Sequence, residues 1–291
     1  MNQPQVFEKH ITIDADAAPV VDLLATATGF SKQRIKQILQ KGAVWVTPAG
    51  GNRKTQRLRR ARKILQPGDV LHLYFDETVL AERPPVPELI ADEGDYSVWY
   101  KPYGLRSQGS KWGDHCTIAR WVETHLQPQR PAFVVHRLDR AASGLMIIAH
   151  GKSTAAWFSR CFEQRAIDKR YRVLVQGRFP DTPTPFTMDQ DIDGRMARSH
   201  ATLLDYDAAQ DRSLLEVSIE TGRKHQIRRH LAGAGFPVVG DRLHGGAGSV
   251  EDLQLSACSL SFRYPAGDGG EDAERVYRLS ESLLPNLCRR A

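Results

Sequence analysis

The stretch Phe133-Val134-Val135-His136-Arg137-Leu138-Asp139-Arg140-Ala141-Ala142-Ser143-Gly144-Leu145-Met146-Ile147-Ile148-Ala149 decides how this chain is read. Its two ends are apolar and its middle is polar. Phe133 to Val135 reads as a short strand and Gly144 to Ala149 as a buried one, so the middle is a loop held between two strands. Asp139 stands in that loop between Arg137 and Arg140. Cationic neighbours favour the ionised form of a carboxylate. Such a group suits nucleophilic or general-base work and is a poor acid. The plain alternative is a surface loop salt bridge.

Moving outward, Tyr96 to Tyr100 reads as a strand broken by Lys101-Pro102-Tyr103-Gly104. Ser153 is the expected cap of a helix carrying Trp157, Phe158, Cys161 and Phe162. Lys169 to Val175 alternates, with Tyr171, Val173 and Val175 on one face. Leu214 to Ile219 is a further strand. Thr221 then precedes a helix expected to run to about Leu231, ended by Gly233 and Gly235, with Pro237 barring its return. Strands and helices mix without regular βαβ repetition, so the fold class is α+β. In the segment from Thr221, His225 and Arg228 are expected to share one helical face while Ile227 and Leu231 share another. Arg223, His225 and Gln226 have the chemistry to contact a base or a phosphate. Arg228 suits a carboxylate, because guanidinium is planar and bidentate. A solvated basic helix face is the alternative.

The amino-terminal part has a different character. Between Ser31 and Lys63 lie eleven lysines and arginines and no acid, against a total of only +6, so the rest of the chain is net acidic. A one-sign block of this density is an electrostatic footprint for a polyanion, and nucleic acid leads. Apolar punctuation shows that the block is folded. Ser31 caps a helix with Ile35, Ile38 and Leu39, Gly42 stops it, and Ala43 to Val46 reads as a strand. A turn over Pro48 to Asn52 follows, and Leu65-Gln66-Pro67-Gly68-Asp69 turns into the strand Val70 to Tyr74. Lys32, Arg34, Lys36, Arg53 and Lys54 are the block's candidate nucleic-acid-binding residues. Residues 81–88 are Pro-rich and read as a stiff linker.

Several classes are excluded. With 291 residues, 41% hydrophobic and 25% charged, the composition is globular. The longest apolar run, Leu145 to Ala149, is far below the roughly 20 residues of a membrane helix. MNQPQVFEKH lacks an apolar signal core, and no pair of the four cysteines has CxxC spacing. A soluble cytoplasmic protein with no membrane partner is expected. Ala141-Ala142-Ser143-Gly144-Leu145 lacks the glycines of a nucleophile elbow. His225 and His230 stand five apart, where a zincin needs four. Gly245, Gly246 and Gly248 are not followed by a phosphate-binding Lys-Ser/Thr. No metal, nucleotide or flavin motif is present, and no cofactor is expected.

Four blocks carry a resemblance when taken in order. These are KPYGL (101–105), HRLDRAASGL (136–145), KRYRVLV (169–175) and TGRKHQIRRHLAGAGFPVVGDRLHG (221–245). Together they resemble the RluA family of RNA pseudouridine synthases, over about residues 89–262. The basic helix, with Gly42-x-Val44-x-Val46 and Leu65-x-Pro67-Gly68-Asp69-x-Leu71, is similar to the S4-type RNA-binding domain, although Thr47-Pro48 replaces that family's asparagine. The resemblance implies an S4-like domain over 1–80, a linker over 81–88 and a catalytic domain over 89–291. The last would hold a mixed, mostly antiparallel sheet flanked by helices. It further implies that Asp139 is the essential aspartate, that Tyr171 packs on the target base and that Arg228 pairs with Asp139. Arg137 would enter the RNA stack when the nucleotide leaves it. Ala142 stands where the family carries threonine, which removes a hydroxyl able to brace the loop. The implied reaction breaks the N1–C1′ bond of uridine, turns the uracil and rejoins it through C5, without a cofactor. The implied partner is large-subunit ribosomal RNA or transfer RNA, and a monomer is the default. Two other readings stand beside it. One is a non-catalytic RNA-binding or remodelling protein. The other is a hydrolase using Asp139, although glycosidases usually pair two carboxylates and no second acid stands out in these blocks.

Overall fold

The structure is a computed structural model and describes residues 3–14, 18–51, 54–246, 250–265 and 272–287. The chain divides into two compact units. One is Met1–Pro84 together with Gln108–His125, and the other is Pro85–Ser107 together with Leu126–Ala291. The sequence placed 89–291 in a single run, whereas a segment from within it groups with the amino-terminal unit.

The amino-terminal unit holds β1 (Val6–Thr12), α1 (Val20–Thr28), α2 (Lys32–Gln40), β2 (Val44–Thr47), β3 (Gln56–Arg57), β4 (Val70–Asp76) and α3 (Glu77–Ala81). From the later segment it takes α4 (Ile118–His125). The strands form an antiparallel sheet in the order β1-β4-β2-β3. Ser31 caps α2 as expected, its Oγ accepting from the Arg34 N–H at 3.2 Å. Ile35, Ile38 and Leu39 turn inward against Leu71, Leu73 and Phe75 of β4 in one apolar core. Full burial of each such side chain stabilises by about 1.5–3 kcal/mol. The charged positions of α2 are left outside by the same periodicity.

The second unit is built on a ten-stranded sheet. Its strands are β5 (Glu88–Asp92), β6 (Tyr96–Lys101), β7 (Phe133–Val134), β8 (Ser143–Ala149), β9 (Asp168–Gln176), β10 (Phe186–Met188), β11 (Ser199–Asp207), β12 (Arg212–Ile219), β13 (Leu255–Tyr264) and β14 (Ala273–Arg278). The order is β10-β11-β12-β9-β13-β8-β6-β5, with β14 on β13 and β7 on β8. Only β13 with β8 is a parallel pair among the described strands, so the α+β class and the mixed, mostly antiparallel sheet hold. α5 (Lys152–Glu163) packs Phe158 against Tyr96, Leu145, Ile147 and Phe262. Its cap is Gly151 rather than Ser153, and no side chain bonds to it. α6 (Gln226–Gly233) starts five residues after Thr221, because His225 adopts a left-handed φ of 55° that a helix interior does not allow. At the parallel pair, Gly144 (φ 124°) meets Ala257, and a Cβ there would lie 2.3 Å from the Ala257 nitrogen. Only glycine lets β8 start that close to β13, directly after the Asp139 loop.

Candidate active site

The loop 136–142 leaves β7 and returns into β8. His136 is fixed as a neutral acceptor, since the Ile147 N–H donates to its Nε2 at 2.9 Å and burial pushes its pKa down to about 3. On the other side of Asp139, Gly104 N–H donates to the Arg140 carbonyl at 2.8 Å. Lys101 is fully buried, its Nζ donating to the Leu105 and Pro102 carbonyls at 2.9 and 3.1 Å. Burial pushes its pKa down to about 7, opposed by the charge of Asp139. The residues of KPYGL are therefore the floor of the loop.

Arg228, on the first turn of α6, joins Asp139 to a second acid. Its Nη1 donates to Asp139 Oδ2 at 3.2 Å. Its Nε and Nη2 donate to Asp241 Oδ2 and Oδ1 at 2.8 and 2.6 Å. The bidentate geometry expected of Arg228 is thus directed at Asp241, and Asp139 receives one bond. Side-chain exposure is 5% for Arg228 and 1% for Asp241, against 20% for Asp139. Burial opposes the charge of Arg228, but the bonds to Asp241 and Asp139 outweigh it and its pKa rises. Asp241 is likewise opposed by burial. Arg228 and the N–H groups of Leu243 and His244 hold its carboxyl below the usual range. His225 Nε2 lies 3.8 Å from Asp139 Oδ2, and its Nδ1 is 3.1 Å from His244 Nε2. Burial lowers its pKa, so the ring is neutral at neutral pH. Both neighbours of Asp139 approach Oδ2, and Oδ1 has no partner among the described residues.

Asp139 lines a cavity of about 190 Å³ together with Arg137, Tyr171, Arg223, His225 and Arg228. Tyr171 is buried on β9, opposite Val217 of β12 and Ala257 of β13. Burial and then the charge of Asp139 raise its phenol, which stays protonated. Arg137 is exposed and has no side-chain partner among the described residues. It also lines a neighbouring groove of about 870 Å³, with Tyr171, Phe162, Lys169 and Arg223. Arg223 donates from Nε to the Met196 carbonyl at 3.0 Å.

Gln226 corrects the sequence reading. It is buried, with Oε1 accepting from Thr221 Oγ1 and the Arg223 N–H, and Nε2 donating to the Arg198 carbonyl and Ser199 Oγ. All four of its bonding positions are used inside the protein, so none remains for a base or phosphate. It ties the start of α6 to β11.

The basic block is divided. Lys32 pairs with Asp22 at 2.5 Å and Arg34 with Glu77 at 3.4 Å. Arg57 and Arg59 both bind Asp114. Lys36, Lys54, Arg60, Arg62 and Lys63 are exposed, with no side-chain partner among the described residues. Arg53 lies outside the described residues. Exposed pairs such as Lys32–Asp22 contribute little to stability and can exchange for a phosphate, whereas Arg57 and Arg59 hold the fold.

Sequence reasoning missed Asp241, His244 and the floor role of Lys101. Asp241 and His244 stood inside the block GAGFPVVGDRLHG, and Gly240 was their signal. Its φ is 81°, and a Cβ would lie 2.2 Å from the Asp252 carbonyl oxygen, so the turn presenting Asp241 admits only glycine.

Known proteins are similar to this chain over much of its length. The model of the RNA pseudouridylate synthase family matches residues 95–233. An uncharacterised RNA pseudouridine synthase of Chloroflexus aurantiacus is 32% identical over 241 residues, 74% of this chain and 71% of the relative. The ribosomal large subunit pseudouridine synthase D of Borreliella burgdorferi is 24% identical over 246 residues, 74% of each chain. The solved structure of human RNA pseudouridylate synthase domain containing 1 has the same fold, with a TM-score of 0.56 at 21% identity over 70% of this chain and 88% of that one. Among the described residues no helix is long and apolar enough to cross a membrane. The chain belongs to the RNA pseudouridylate synthases, enzymes that isomerise uridine to pseudouridine in RNA.

Proposed function

We propose that Asp139 acts on the ribose of a flipped uridine, in large-subunit ribosomal RNA or transfer RNA, in a protein working as a cytoplasmic monomer. The observation that carries the reading is the one-sided hold on the carboxylate. Arg228 and His225 both approach Oδ2, while Oδ1 is left without a partner in a residue that lines the cavity. One oxygen is anchored and the other is left to attack C1′ or to take a ribose proton. Arg228 pairs with the carboxylate from the cavity wall, and Asp241 keeps Arg228 aimed. Flipping a nucleotide costs a few kcal/mol. Stacking on an aromatic returns about 1–3 kcal/mol per base, here on Tyr171, and the free Arg137 would fill the gap in the RNA. His225 and Arg223 line the same cavity and would touch the base or its phosphate.

The amino-terminal unit, read as S4-like, supplies affinity. Lys36, Lys54, Arg60, Arg62 and Lys63 are its free cations, with Lys32 and Arg34 available by exchange. The ribosomal target is favoured by the name of the Borreliella relative. Unmodified ribosomal RNA and tRNA carrying tritium at uridine C5 test the reading. Wild type should release tritium from one RNA, and Asp139→Asn should release none while binding that RNA about as tightly. A variant that turns over, or that loses binding outright, would show that Asp139 has another role.

A further inference from the structure

The loop that presents Asp139 is gripped on both sides, and one grip comes from a residue outside every block that identified the family. Ser107 is buried. Its Oγ donates to the carbonyl of Leu138 at 2.7 Å and accepts from the N–H of the same residue at 3.0 Å. One hydroxyl therefore satisfies both polar groups of the residue immediately before Asp139. A two-point bond to one residue fixes a rotation that a single bond would leave free. On the far side, the Gly104 N–H holds the Arg140 carbonyl. The residues before and after Asp139 are thus both tied to the segment 101–107.

We propose that Ser107 is a positioning residue for the reaction, setting the direction of the Asp139 carboxylate by clasping Leu138. The proposal rests on the reading of Asp139 as the reacting group. Ala142 offers the loop no hydroxyl, and Ser107 reaches it with one from a different segment. The Ala142 N–H bonds only within the loop, to the Asp139 carbonyl at 3.1 Å, so the backbone on either side of Asp139 is held from outside by Gly104 and Ser107. No other side chain among the described residues bonds the backbone of Leu138.

Single-turnover rate and RNA affinity are measured for Ser107→Ala, Ser107→Cys and Ser107→Thr, beside wild type and Asp139→Asn. Misplacing a reacting group by about 1 Å can cost about 100-fold, so the rate of Ser107→Ala should fall about 10–100-fold with Kd within about twofold. Ser107→Cys leaves no cavity, its thiol being slightly larger than the hydroxyl, but is a weak hydrogen-bonding group. It should lose rate to a similar degree while melting near wild type, which keeps the test open if the alanine variant folds poorly. Ser107→Thr restores the hydroxyl and should recover most of the rate. A Ser107→Cys rate within about twofold of wild type would overturn the proposal. So would rate, affinity and melting temperature falling together in all three variants, because the role would then be structural. Failure of the Asp139 reading would appear separately, as activity in Asp139→Asn.

Discussion

Replacing Asp241 by asparagine removes one negative charge from the most buried ion pair of the site. Asp241 Oδ1 accepts from Arg228 Nη2, Leu243 N–H and His244 N–H, and Oδ2 accepts from Arg228 Nε. The least damaging placement of the asparagine keeps its oxygen at Oδ1. Its NH₂ then faces the Arg228 Nε–H, donor against donor. Removing one partner of a buried pair costs up to about 3–5 kcal/mol, and Asp139 is then the one acid still bonded to Arg228 among the described residues. At about 2–4 °C per kcal/mol for a domain of this size, the melting temperature should fall by up to about 6–20 °C. Arg228 would also be released to swing toward Asp139, so the single-turnover rate should fall by more than about tenfold even below the melting point. The pH dependence adds a signature. The folded-state pKa of Asp241 is depressed, so its stabilisation is full above the unfolded value of about 3.9 and is lost as pH falls through the folded value. The gap between wild type and Asp241→Asn should therefore be constant near neutral pH and close on acidification. Calorimetry across pH, with tritium release at about 25 °C, reads both effects. A variant melting within about 2 °C of wild type with a rate within about twofold would refute the anchoring role of Asp241.

Two further outcomes are expected. Lys101 has a folded-state pKa of about 7, below the unfolded lysine value of about 10.4, so the unfolded chain binds more protons between those limits and stability gains from this group as pH rises through them. Lys101→Met should lack that gain in denaturant titrations from about pH 7 to 10; an unchanged slope would show that the buried amine keeps its proton throughout. Replacing Arg60, Arg62 and Lys63 together by alanine should weaken RNA binding and flatten the log–log salt slope by about 0.7 for each phosphate they neutralise. Arg59→Ala should instead lower the melting temperature, since Arg59 pairs with Asp114, and equal salt slopes for both variants would refute this division of the block.

Much of this was legible in the residues, for local reasons. The Ser31 cap, the inward face of α2 and the alternation along β9 are set by neighbours in sequence, and they read correctly. Asp139, Tyr171 and Arg228 were brought to one cavity as the order of the blocks implied. The start of α6 was not legible, because a left-handed residue at His225 is dictated by its surroundings. Gln226 was misread because an amide offers the same donors and acceptors to RNA as to its own fold. Only the positions of Thr221, Arg198 and Ser199 show which it serves. Asp241 escaped because its significance lies in a guanidinium thirteen residues earlier, which Gly240 lets it reach.

The amino-terminal unit is not a continuous stretch of chain. Arg57 and Arg59 find their acid at Asp114, Arg57 donates to the Ser110 carbonyl, and Trp45 donates to the carbonyl of Lys111. During synthesis, therefore, Arg57 and Arg59 are added to the chain well before the acid that they share. A gene fragment ending at the Pro-rich stretch would encode two arginines facing each other without a counterion. As a portable cassette the unit is incomplete, and grafting it onto another protein would require carrying residues 108–125 with it.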